Sequence, residues 1–194
     1  MKKTLLPYCM LALALLSFSC DKEDDETNEV APAMELSMER TFMYHDNHQT
    51  KQASYLSNDI VSGFVEDDGK LTVYLSSGPD GISFEIAEAD LTNGYVGVYT
   101  LKSLPNPAIG KANTTYSYSQ NGTSGSAYFS QANTMSGAIE ITNYNEKHNL
   151  ISGTFELTMV DVADPTLTAP TTNPRKSDVT VTGTFENAKL TTNP

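Results

Sequence analysis

The chain has no tryptophan, only two cysteines, and half as many bases as acids, with 12 Lys and Arg against 24 Asp and Glu. Each shortage excludes something. Two cysteines cannot build the disulfide framework of a small secreted scaffold. At 194 residues the chain can bury a core without one. A formal charge of −12 opposes phosphate backbones and anionic head groups, so nucleic acid is not an expected partner. No segment carries an apolar stripe at helical spacing.

Recognisable chemistry is also missing. There is no Gly-x-Ser-x-Gly elbow, no glycine-rich phosphate loop opening a helix, and no acid spacing of a calcium loop. His45 and His48 sit three apart in "HDNH", and His148 is the only other imidazole. A zinc site would need more ligands than these supply. Asp67 and Asp68 belong to an Asp-Gly turn, where acid is a turn residue. Glu85 and Glu156 fall on the outward parity of their strands, with nothing readable that would raise a pKa for glycoside hydrolysis. We expect no enzyme, no cofactor and no metal.

What the sequence does contain is alternation. Met34, Leu36, Met38, Phe42 and Tyr44 share one parity, which Arg40 interrupts, as at a bulge. Leu71, Val73 and Leu75 align, as do Ile82, Phe84 and Ile86. So do Ile151, Phe155, Leu157 and Met159, and then Val179, Val181 and Phe185. Period two means strands with one buried and one wet face. Asp-Gly and Asn-Gly pairs separate the runs, at 68–69, 80–81, 93–94 and 121–122. The expected fold is all-β, a single antiparallel meander closing as a β-sandwich or flattened β-barrel, with lipocalin-like closure as the alternative. "ISGTFE" at 151–156 is echoed by "VTGTFE" at 181–186. Gly153 and Gly183 fall on the inward parity, where a missing side chain lets a large neighbour cross.

The first twenty residues read differently. Lys2 and Lys3 precede an apolar run, and small residues approach Cys20. That order is a secretory leader, and the run is too short to span a membrane. Its loss would take the charge from −12 to −14, since residues 1–19 hold no acid. Cys9 would leave with it, and Cys20 would have no disulfide partner. The stretch resembles a bacterial lipoprotein signal, in which the cysteine at the cleavage point is lipidated. Residues 21–29 carry six acids and one lysine, a composition that cannot collapse into a core. The block Asp21, Lys22, Glu23, Asp24, Asp25, Glu26 resembles the acidic export signal of Bacteroidetes-type surface lipoproteins. The expected organisation is a leader over 1–19, a lipidated cysteine and tether over 20–32, and one β domain over 33–194.

"SGAIEITNYNEKHNLISGTFELTMVD" at 136–161 and "VTVTGTFENAKL" at 179–190 resemble the C-terminal half of a Bacteroidetes lipoprotein domain family of unknown function. The resemblance is best over 136–190. It implies a lipidated cysteine, a tether and one β domain at the outer membrane, facing the cell exterior, and it carries no catalytic residue.

Two features point to binding. The segment 162–177 is too long for an ordinary hairpin, and Arg175 and Lys176 are its only bases. Tyr116, Tyr118 and Tyr128 cluster around "NGTSG", and a tyrosine ring offers a flat apolar face with a polar tip. The expected function is a non-enzymatic, lipid-anchored envelope protein that binds an extracellular glycan or protein through loops or an exposed sheet face. The alternatives are a periplasm-facing barrel with a pocket for a small apolar ligand, and a structural subunit of an outer-membrane complex. Aromatics lined up on a wet face would favour the first.

Overall fold

A computed structural model describes residues 30–57, 61–65, 69–120, 124–167 and 172–192. The strands are β1 (Glu35–Tyr44), β2 (Thr50–Ser57), β3 (Val61–Val65), β4 (Lys70–Ser77), β5 (Asp80–Ala87) and β6 (Thr92–Tyr95). They continue with β7 (Gly97–Thr100), β8 (Ala112–Gln120), β9 (Ser124–Phe129), β10 (Met135–Asn145), β11 (Leu150–Ala163) and β12 (Lys176–Thr192). A single 3₁₀ turn over Glu88–Asp90 is the only helical element among the described residues.

Eleven of these strands, all but β6, are hydrogen-bonded in one continuous network that bends at β12 into two sheets. Sheet A runs β7-β10-β11-β12-β1-β2, and sheet B runs β3-β4-β5-β8-β9. The two pack as a sandwich and do not close into a barrel. The long strand β12 serves both. Up to Glu186 it lies between β11 and β1, and from Lys189 to Thr192 it pairs in parallel with β3. Asn187 marks the corner. It has a left-handed φ of 55°, and the β11–β12 register shifts opposite it. A bulge bends a strand in this way. The remaining ladders are antiparallel.

Connectivity departs from an uninterrupted meander at three connections. The chain passes from β2 on sheet A to β3 on sheet B, crosses to sheet A between β5 and β8 to lay down β7, and passes from β9 back to β10 on sheet A, while β12 pairs with β1 from the opposite end of the sequence. The pairings these connections create are non-local, and local turn signals cannot encode them.

The inward parities make the core. Phe84 of β5 meets Phe155 of β11 with ring centroids 5.8 Å apart, and Phe42 of β1 meets Tyr118 of β8 edge-on at 5.3 Å. The sequence echo has a packing reason. Gly153 pairs across the ladder with Phe185, and Phe155 pairs with Gly183. Each phenylalanine crosses the glycine opposite, so a Cβ on Gly153 would lie 2.8 Å from Phe185 Cζ and one on Gly183 would lie 2.5 Å from Phe155 Cζ. Arg40 is not a bulge. β1 stays in register with both neighbours, and Arg40 occupies the buried face with 3% of its surface exposed.

Candidate functional site

Four structural regions bear on function, and the first corrects the reading of Arg40. Asp80 follows the two-residue turn Gly78–Pro79 between β4 and β5 and is 1% exposed. Its Oδ2 lies 3.3 Å from Arg40 Nε, and its Oδ1 accepts from the Tyr116 hydroxyl at 2.5 Å. Arg40 Nη2 donates to the Tyr55 hydroxyl at 3.2 Å, and the guanidinium lies over the Phe42 ring at 4.1 Å. Burial opposes the charge on Arg40, but Asp80 and the Tyr55 hydrogen bond outweigh it and hold its pKa above the ordinary value. Burial and then Asp80 push the Tyr116 phenol up, so it stays a donor. Arg40, Asp80 and Tyr116 are closed to solvent, Tyr55 is half-buried, and the network joins the two sheets.

Tyr116, Tyr118 and Tyr128, expected as ligand contacts, all face the interior. Tyr116 is 0% exposed, Tyr128 donates to the Ala163 carbonyl at 2.6 Å, and Tyr118 packs on Phe42. In strands the pleat decides the face, and these three fall on the inward parity. None offers a ring to a ligand.

Arg175 and Lys176 are likewise engaged. Arg175 Nη2 binds Asp46 Oδ1 at 2.8 Å, and its guanidinium stacks 3.6 Å above the Tyr44 ring. Lys176 Nζ donates to the Asp161 carbonyl at 2.9 Å. Asp178 Oδ1 accepts from the Asp161 N–H and pairs with His45 Nε2 at 2.7 Å. Asp164 is buried, takes two hydrogen bonds from Thr166, and receives the chain back through its own N–H to the Arg175 carbonyl. The segment after β11 is therefore a strap fixing the β1–β2 turn to the β11–β12 connection. Residues 168–171 lie outside the described residues, as do Cys20, Asp21, Lys22, Glu23, Asp24, Asp25, Glu26, Asp67 and Asp68.

The outer face of sheet B holds the arrangement that sequence reasoning missed. Tyr74 pairs with Ser83, Ser83 with Thr115, and Thr115 with Phe129. All four point away from the core in one cross-strand row. Tyr74 is 40% and Phe129 51% exposed. Three strand spacings separate the Cα atoms of Tyr74 and Phe129, about 14 Å. Gly81 lies beneath the Tyr74 side chain, and a Cβ there would sit 3.1 Å from its hydroxyl. The neighbouring row holds Glu85 paired with Asn113, whose Oδ1 accepts from Gln131 Nε2 at 3.3 Å. Glu85, Asn113, Thr115, Phe129 and Gln131 border an open depression of about 580 Å³. Lys70, at the first position of β4, is the one base on the outward parity of β4 and β5, and none occurs on the outward positions from Thr72 to Ser76, Gly81 to Glu85, Asn113 to Ser117 and Ala127 to Phe129.

The two carboxylates weighed for glycoside hydrolysis are not neighbours. Glu85 is on sheet B and Glu156 on the outer face of sheet A, beside Thr154, Thr182, Glu39 and Glu140. No group of three or more His, Cys, Asp or Glu positioned for a metal ion occurs among the described residues.

Fold and face define an all-β sandwich with one polar, aromatic-flanked sheet surface. The chain belongs to the family described as Domain of unknown function (DUF6252), whose model matches residues 48–173. The match begins well upstream of the strand motif at 136–161 and stops before the motif at 179–190. It takes in β4, β5, β8 and β9, and so the whole row from Tyr74 to Phe129. No curated protein and no solved structure matches the chain.

Proposed function

We propose that the protein is a non-enzymatic lipoprotein of a Bacteroidetes-type bacterium, anchored through Cys20 at the outer membrane and facing the exterior, where its β domain binds a glycan. The observation that carries the binding half is the row Tyr74–Ser83–Thr115–Phe129. It sets two exposed rings at the ends of a run of hydroxyls, with a carboxylate and two amides alongside. A protein interface would gather its aromatics into one dry centre, whereas here they stand apart. The barrel pocket for a small apolar ligand loses its support, because the space between the sheets is filled by Phe42, Phe84, Phe155 and Phe185. The anchoring half rests on the leader, on the lone cysteine left after it, and on the acids that follow.

Cells expressing the full chain test both halves together. They are expected to adhere to a surface coated with extracted cell-wall polysaccharide, and to lose adhesion after protease shaving that leaves them sealed. The Cys20→Ala protein is expected to leave carbonate-washed membranes. Adhesion that Phe129→Ala leaves unchanged would remove the binding face, and Cys20→Ala retained in the washed membrane would remove the anchor.

A further inference from the structure

Resting on the glycan reading, we infer that the ligand is a neutral oligosaccharide lying across the strands of sheet B, long enough to stack on Tyr74 and Phe129 together. The direction follows from register. The two residues sit in one cross-strand row, and the Tyr74 ring leans over Gly81 of β5. A ligand touching both rings runs across the strands, from β5 over β8 past Ser117 and Thr115 to Phe129 on β9. The length follows from spacing, because the two strand spacings from the Tyr74 ring over β5 to β9, roughly 10 Å, exceed a single pyranose ring and fall within a short chain.

The chemistry follows from what lines the path. Tyr74 and Phe129 offer apolar faces, and a pyranose presents one apolar face of C–H groups to each. Ser83, Thr115 and Ser117 offer hydroxyls between them, which meet a ligand that hydrogen-bonds along its whole length. A purely apolar chain would leave those hydroxyls unpaired, at a cost. Ser117 Oγ already donates to the Gly81 carbonyl, so its oxygen is held in place beneath the Tyr74 hydroxyl. Asn113 is oriented by Gln131. Glu85, beside it, accepts hydrogen bonds from a sugar diol and repels a uronate or sulfate. With no base on the path and −12 on the whole chain, an anionic sugar meets only unfavourable charge.

The test is calorimetric titration of the full chain with neutral gluco-, manno-, galacto- and xylo-oligosaccharides of increasing length, and with uronic-acid oligosaccharides of the same lengths. At least one neutral series is expected to bind, with affinity rising until the chain bridges the two rings and then levelling. Tyr74→Ala and Phe129→Ala are each expected to weaken the longer members by about tenfold, the loss of one aromatic contact, while shifting the shortest members less. Uronic series binding as tightly as neutral ones, or affinity independent of length, would overturn this inference and leave the glycan reading standing. No binding by any series would overturn the glycan reading itself. Thr115→Val, which keeps shape and removes one hydroxyl, is expected to weaken binding without altering thermal stability. If it binds as the wild type does, the path between the rings is wrong.

Discussion

Arg40 Nη1 is buried and has no hydrogen-bond partner among the described residues, so the guanidinium depends on Asp80, Tyr55 and two ring faces for its compensation. Removing one member of a buried pair strands the other charge, which typically costs about 3–5 kcal/mol. Asp80→Ala is expected to lower unfolding free energy by that order in urea titration. Replacing both partners with apolar residues, Arg40→Met with Asp80→Leu, should recover most of the loss. A single variant within experimental error of wild type would show that the pair does not hold the sheets together. The glycines of the echo supply a second residue-scale test. A methyl on Gly183 meets both Phe155 Cζ and the Ser37 carbonyl oxygen. The phenylalanine can rotate but the backbone cannot, so Gly183→Ala should cost at least about 1–3 kcal/mol. An unchanged melting temperature would mean that the crossing rings are not tightly packed.

At the scale of elements, the strap is held by exposed and half-exposed charges, and these respond to pH. The hydrogen bond from Arg175 holds the Asp46 carboxyl below its ordinary value of 3.8. Burial pushes Asp178 up, but the Asp161 N–H and His45 outweigh it and its pKa is lowered. Both carboxyls are more acidic folded than unfolded. Their contribution is therefore complete above the ordinary value of 3.8 and disappears as pH falls through the lower folded values. Thermal melts between neutral and strongly acid pH should show wild type losing stability below about pH 4, with the Asp46→Asn, Asp178→Asn double variant losing less over that span. Identical slopes would detach these groups from the acid limb. The same scale explains what the sequence could disclose. Strict alternation marked β1, β4, β5, β11 and β12, and their buried faces follow it. β2 carries only Ala53 and Tyr55 as apolar inward residues beside Lys51, too weak a pattern to announce a strand. Tyr74 was readable as outward, because Leu71, Val73 and Leu75 fix the parity. Phe129 was not, because it adjoins Tyr128 and two consecutive aromatics leave the face undecided. Joining Tyr74 to Phe129 required the order β4-β5-β8-β9, which depends on the crossing between β5 and β8 that no local signal specifies.

At the scale of the whole molecule, the fold and the proposed address rest on different parts of the chain. The first described strand begins at Glu35, and the acids from Asp21 to Glu26 lie outside the described residues. From Cys20 to Glu35 the chain reaches at most about 50 Å, so an anchored domain stays close to the membrane and meets polymers at the surface rather than in bulk solution. Neutralising the acidic block, with Asp21, Glu23, Asp24, Asp25 and Glu26 changed to Asn or Gln, removes charge without changing any residue of a described strand. The variant should melt as wild type does, because the described core is drawn from Leu36 to Leu190. It should remain in carbonate-washed membranes, because the proposed anchor is Cys20 and not the acids. It should also resist protease on sealed cells, because the acids are the proposed export signal. Digestion equal to wild type would refute that signal, while release from the membrane would show that the acids act in lipidation instead. Only protection with retention leaves both the anchor at Cys20 and the export role of Asp21 to Glu26 in place.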